Sequence, residues 1–285
     1  MHSFIHHLKG LLLRNKPGII LSAALSLLLI VLSFRENTFA KTFGYLVTLS
    51  ACFIVSELIL FFRRPVLKAW DIKSPQKELL VLIFVSIISL LLLTIFFNMD
   101  RSASNSNRMV MIALMVLRLI FIFPTFLLIY FLAIKKYRLR DLGFRFNNWY
   151  VALPLIAIIG ACSYLLFPNG LQFKDVLAEH GYLSFITLGL LTAALPEELM
   201  RNLFQTRLST VLNNKSLGWF IVSLIWAVQH IPTFAQSSSL YEGTISALGI
   251  LPIGLLWGYL NQRYRSIIPS VLIHSTNLWG LQNIF

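Results

Sequence analysis

The chain alternates between two kinds of stretch: apolar runs of about 20 residues, and short polar segments rich in lysine and arginine. At 1.5 Å per helical residue, about 20 residues cross a hydrocarbon layer of ~30 Å. Runs near that length occupy 18–34, 42–62, 79–97, 109–134, 149–167, 182–203, 217–234, 244–260 and 267–285. They predict an all-α, polytopic transmembrane helix bundle of about eight to nine spans, the first, eighth and ninth being the shortest. The longest polar stretches, 63–78 and 135–148, are too short to fold alone. No internal repeat, low-complexity tract or soluble domain is visible.

Composition agrees with the pattern. Apolar residues make up 57% and charged residues 12%, with a mean hydropathy of +0.77. A soluble domain averages roughly 45–50% apolar and about 25% charged, so this chain lacks the polar surface to face water all round. A cytosolic enzyme and a disordered tail protein are excluded.

The 285 residues carry 24 Lys and Arg against 11 Asp and Glu, a formal charge of +13. In a soluble chain that excess would point to nucleic acid. Here the basic residues fall between apolar runs, the pattern of loops facing an anionic cytoplasmic leaflet, so membrane lipid is the expected partner and nucleic acid is not. With the N-terminus cytoplasmic, eighteen Lys and Arg fall inside and five outside. That predicts an integral protein with a cytoplasmic N-terminus; an odd number of spans puts the C-terminus outside. The first run follows a basic segment, but no small-x-small cleavage site follows it and Arg35-Glu36 interrupts, so it reads as an uncleaved span. Cys52 and Cys162 lie inside apolar runs and read as buried, inert thiols.

The chain divides at about residue 141. Residues 1–141 form N-terminal transmembrane helices without evident chemistry, and 142–285 a functional helical core, the two packed as one bundle. An ionisable group in the bilayer costs ~2.5–3.5 kcal/mol on insertion scales, so each needs a reason. Glu57 and Arg118, lone charges on N-terminal spans, read as structural: partners between packed helices, or side chains reaching an interface.

The C-terminal spans are different. In 195–205, Glu197 and Glu198 are adjacent, so on a helix they diverge by ~100° and cannot face one partner. Arg201 is i+4 from Glu197 and i+3 from Glu198, within reach of either, and the other carboxylate projects into a cavity. Pro196 removes an amide donor and is expected to kink the helix there. On the next span Trp226 and His230 share a face at i,i+4, so the indole can limit the imidazole's rotation. On the last span His274 and Asn277 share a face at i,i+3. A carboxylate in an apolar site can take a proton from water, a histidine can orient that water, and a second histidine with an asparagine can donate to an oxyanion. Those are the parts of peptide-bond hydrolysis. There is no evident serine or cysteine nucleophile and no His-Glu-x-x-His zinc helix.

These residues resemble the CPBP family of intramembrane proteases, which includes the type II CAAX prenyl endopeptidases and the bacterial Abi proteins linked with bacteriocin self-immunity. The family pattern is Glu-Glu-x-x-x-Arg, then Phe-x-x-x-His, then His-x-x-x-Asn on successive helices. Glu197-Glu198, Trp226-x-x-x-His230, and His274 with Asn277 answer to it, and Leu-Gly-Phe-Arg at 142–145 looks like the family too. The resemblance runs from about 142 to the end. Three departures stand out: Arg201 arrives one residue early, leaving Asn202 at the family arginine position; Trp226 replaces Phe; and Asn277 follows His274 by three residues rather than four.

The resemblance implies an intramembrane endopeptidase in a bacterial cell membrane acting on a peptide or protein substrate. Glu197 would activate water with His230, His274 and Asn277 would stabilise the oxyanion, and Glu198 would pair with Arg201. If Arg201 captures Glu197 instead, the glutamates exchange roles or the site is dead. The alternatives are a non-proteolytic scaffold or bacteriocin immunity protein of the same fold, which the shifted motifs favour, and a proton-coupled transporter, against which no repeat of the Glu/His pattern stands. No cofactor is expected; Glu and two His could form an open metal site, but no pair has a recognised metal spacing.

Overall fold

A computed structural model of the chain describes residues 2–35, 38–64, 67, 69–101, 126–166, 181, 187–235 and 238–277. The described residues are helical, with no strand among them. Helices α1 (His2–Arg14) and α2 (Lys16–Arg35) follow one another across Asn15, and α3 (Phe39–Arg63) ends where Arg64 turns left-handed at φ 42°. After α4 (Pro75–Arg101), a short α5 (Phe126–Leu128) continues into the π-helical stretch Ile129–Ile134. Two 3-10 turns, Leu139–Leu142 and Phe146–Val151, lead into α6 (Ala152–Leu166). The π-helical stretch Thr187–Ala194 runs directly into α7 (Leu195–Val211). Then come α8 (Lys215–Val228), α9 (Ile231–Phe234), α10 (Leu240–Tyr264) and α11 (Ile268–Asn277).

Six of these stretches are long and apolar enough to cross a membrane: Lys16–Phe34, Phe39–Arg63, Pro75–Leu92, Leu139–Cys162, Lys215–Phe234 and Leu240–Tyr264. Large apolar side chains such as Leu27, Phe62, Leu80, Phe84 and Leu153 project outward from them, as lipid-facing helices require. Of the expected run 109–134 only 126–134 is among the described residues, and of the run 182–203 the described part is 187–203, split between the π-helical stretch and α7. The last run is described only through the ten residues of α11. A total of eight to nine spans is therefore not reached among the described residues.

The eighth run, one of the shortest on sequence, is part of the helix at the centre of the bundle. Its helix, α10, has 25 residues, with 78% of its apolar window buried against 22–39% for the other five stretches. The run looked short because Asn261, Gln262 and Arg263 read as a polar loop. In the fold Asn261 is wholly buried and α10 continues to Tyr264. Ser239 and Glu242 form a capping box at its start.

Neighbouring helices approach α10 across glycines spaced i,i+4. A Cβ added at Gly254 would lie 2.7 Å from Cε3 of Trp226, and one at Gly258 would lie 2.9 Å from Oε1 of Gln205 and 3.0 Å from Cδ1 of Trp219. That close approach is how small residues let membrane helices pack without a hydrophobic driving force. It also lets α7 and α8 reach the α10 backbone: Gln205 donates to the Gly258 carbonyl at 2.9 Å, and Trp219 to that of Leu255 at 2.8 Å. Gly254→Val is expected to push Trp226 aside and cost about 1–3 kcal/mol, the range for overpacking. Thermal unfolding of the detergent-solubilised protein measures it.

Charges expected in loops turn out to lock helices together. Glu57 on α3 accepts from Nε and Nη2 of Arg263, each at 2.6 Å, from the Tyr259 hydroxyl, and from His7 at 2.8 Å. It is thus structural, but its partners lie on α10 and α1; Arg118 lies outside the described residues. Arg207, which follows the 182–203 run, counts among the cytoplasmic basic residues on sequence. It is wholly buried, donating from Nε to Glu78 at 2.9 Å. Tyr137 donates to the same carboxylate at 2.9 Å, and burial, with Glu78 beside it, pushes its phenol up to about 12, so it serves as a neutral donor. Arg201, Arg207 and Arg263 are ion-pair members of the bundle, not free loop charges. Cys52 is buried and Cys162 partly so, both as free thiols.

Candidate active site

Residues from α7, α8, α10 and α11 meet around the two adjacent glutamates. Pro196 is the second residue of α7, directly after the π-helical stretch Thr187–Ala194, and supplies no backbone N–H to the turn before it. The expected kink takes the form of the wider π-helical turns at Thr187–Ala194, a distortion common beside functional sites. From there the two carboxylates diverge. Glu198 turns inward and is wholly buried, while the Glu197 side chain stays 31% exposed.

Glu198 is held from three helices. Nε of Arg201 donates to its Oε1 at 3.0 Å, Nδ2 of Asn261 donates to its Oε2 at 2.9 Å, and Nδ1 of His274 stands 3.2 Å from Oε1. Arg201 has therefore taken Glu198 at i+3, leaving Glu197 free of it. The guanidinium also lies over two indoles, 4.3 Å from the Trp226 ring and 5.6 Å from the Trp257 ring, which shield a charge that is almost wholly buried. Wholly buried, ion-paired to Arg201 and holding three donors, Glu198 is poorly placed to take a proton from water.

Glu197 has other company. Nε1 of Trp226 donates to its Oε2 at 2.7 Å, and Nε2 of His274 stands 3.8 Å from the same oxygen. That second distance is too long for a direct hydrogen bond. Trp226 also packs on His230, with ring centroids 4.5 Å apart. Nδ1 of His230 lies 2.8 Å from the Trp226 carbonyl oxygen; a carbonyl only accepts, so Nδ1 carries the proton and the neutral ring's Nε2 is an acceptor. Trp226 thus joins the Glu197, Arg201 and His230 parts of the site.

His274 is stacked flat on Trp257, with centroids 3.8 Å apart and ring planes 15° apart. Its Nδ1 is committed to Glu198, so only Nε2 points toward Glu197, a division of roles the motif alone does not convey. Asn277 ends α11, and its side chain lies outside the described residues. Asn202, at the family arginine position, does not touch the glutamates. It donates to the Leu142 carbonyl at 3.0 Å and ties α7 to the turn at Gly143. It supports the fold, not the carboxylates.

Sequence reasoning missed Trp257, Asn261 and Ser270. Ser270 donates to Oδ1 of Asn261 at 2.5 Å. A signal was present: Trp257 and Asn261, and likewise Ser270 and His274, are spaced i,i+4, the same one-face spacing as Trp226 and His230. Among the described residues no group of three His, Cys, Asp or Glu side chains forms a metal-binding cluster.

Residues 179–279 match the family model for type II CAAX prenyl endopeptidase Rce1-like proteins. Over this region the chain is similar to Rce1-like proteins. The match agrees with the family resemblance of the motifs and begins after 142–145. All eight candidate residues, Glu197, Glu198, Arg201, Asn202, Trp226, His230, His274 and Asn277, fall within the matched region. No curated protein and no solved structure matches the chain.

Proposed function

We propose that this chain is an intramembrane endopeptidase in which Glu197 activates water to hydrolyse a peptide bond within or near the membrane. The observation that carries the reading is the asymmetry of the carboxylates: Glu198 is buried under Arg201, Asn261 and His274, whereas Glu197 is open and oriented by the Trp226 indole. A water donating one proton to Glu197 can donate its other to Nε2 of His230, whose Nδ1 is anchored on the Trp226 carbonyl.

The Glu197 carboxylate takes the first proton as the water oxygen bonds to the substrate carbonyl carbon. The tetrahedral oxyanion is met by N–H donors: Asn277 by resemblance, and Nε2 of His274 only when that ring holds a second proton, because its first is on Nδ1 against Glu198. Glu197 then returns the proton to the amide nitrogen as the C–N bond breaks, leaving a carboxylic acid and an amine. Glu198 and Arg201 position these groups and do not touch the reacting atoms. The N-terminus lies on the cytoplasmic side in this reading, as the Lys and Arg distribution supports, and the bacterial cell membrane is what the family resemblance implies.

The test is cleavage of fluorogenic peptides, prenylated and unprenylated, by purified protein in liposomes. The wild type should cleave at least one, and Glu197→Gln should not. Equal activity of the wild type and of Ala variants at Glu197, Glu198, His230 and His274 would sink the reading in favour of a non-proteolytic scaffold. A chelator control separates metal-dependent from metal-free hydrolysis.

A further inference from the structure

Asn261 is wholly buried on α10, and both ends of its amide are committed. A carboxylate only accepts, so the atom facing Oε2 of Glu198 at 2.9 Å must be the amide nitrogen, and the carbonyl end must face Ser270. The Ser270 hydroxyl, also wholly buried and 2.5 Å from Oδ1, then donates to it. Turning the amide over would set Oδ1 against Glu198, acceptor on acceptor, in a place where no solvent screens the repulsion.

Across the carboxylate from Asn261 stands Arg201, which donates to that carboxylate through Nε alone while its Nη1 reaches the Gly254 carbonyl at 3.5 Å. Its Nη2 is buried without a hydrogen-bond partner. Arginine and carboxylate ordinarily prefer the two-pronged arrangement, with Nε and Nη2 each on one oxygen. Here the second oxygen is occupied by Asn261, and the first is shared between Arg201 and Nδ1 of His274. The orphaned Nη2 is a donor that a turn of the carboxylate away from Asn261 would satisfy.

We propose that Asn261, braced by Ser270, is a positioning residue that holds the Glu198 carboxylate in the one rotation that keeps its Oε1 on His274. Without the amide, Glu198 turns toward Nη2 of Arg201 and leaves Nδ1 of His274. His274, stacked on Trp257, then loses the partner that keeps its proton on Nδ1 and its Nε2 toward Glu197. The catalytic consequence rests on the reading of Glu197 as the base; the positional one does not.

The experiment uses the full chain, labelled with ¹⁵N-histidine in detergent micelles, with the His274 ring signals among the six histidines identified by their loss in His274→Gln. In the wild type Nδ1 should appear protonated and hydrogen-bonded. In Asn261→Ala the signals should move to a mixture of tautomers, and in Ser270→Ala they should shift part-way in the same direction. Where cleavage is measured, Asn261→Ala should lower kcat about 10- to 100-fold with little change in KM, the effect of losing one buried charge-assisted hydrogen bond that orients a catalytic group. Wild-type His274 signals in folded Asn261→Ala would overturn the proposal, as would unchanged signals in Ser270→Ala if Asn261→Ala does not fold. A wild type that cleaves nothing defeats the peptidase reading while the resonance measurement still decides this one.

Discussion

Glu197→Gln is expected to lower peptide cleavage by about 10²–10⁴-fold, the usual contribution of a positioned general base, while the protein melts within about 1 kcal/mol of the wild type. Glutamine keeps an oxygen to accept the Trp226 N–H and nearly the same volume, so the indole and the packing around it stay in place. What disappears is the ability to receive a proton from water. The side chain is 31% exposed and makes no ion pair with Arg201, so little folding energy is at stake. Initial rates on a reconstituted substrate, paired with a thermal melt, measure both quantities. Retained cleavage would remove Glu197 from the mechanism; lost cleavage with a collapsed melt would make it structural.

The neighbouring glutamate should behave in the opposite way. Glu198→Ala, or Arg201→Ala, is expected to destabilise the fold by about 3–5 kcal/mol, because each leaves the other charge buried without its counter-ion. Both side chains are entirely shielded from solvent, and Glu198 also satisfies Asn261 and His274. The single variants share one interaction, so the double variant should cost much less than their sum. Unfolding in mixed detergent micelles, compared across the two singles and the double, gives the coupling energy. Additive losses would mean that the 3.0 Å contact between Arg201 and Glu198 is not what holds the pair in place.

Much of this was readable in the chain. Apolar run length gave the helical, membrane-spanning class. The three motifs named residues that the fold brings together on α7, α8 and α11: Glu197 touches Trp226, Trp226 packs on His230, and His274 bridges toward both glutamates. Distances along the individual spans put Glu197, His230 and His274 at unlike depths, about 15, 20 and 10 Å from the ends of their runs. In the fold these residues nevertheless meet, through the contacts of Trp226 with Glu197 and His230 and of His274 with the two glutamates. The centrality of α10 was hidden, because its buried Asn261 and its ion-paired Arg263 look like loop residues until their partners are known.

Periodicity and spacing are local properties, so the sequence by itself determined the lipid-facing helices, the order of the polar sets, and the fact that Arg201 could reach either glutamate. Which glutamate it reached was decided by the rotation of α7 against α10 and α11. That rotation is set where Gly254 and Gly258 let Trp226 and Gln205 come close, and where Asn261 and His274 supply the remaining donors to one carboxylate. A buried charge goes where its hydrogen bonds can be completed, and completing those of Glu198 took side chains from three helices.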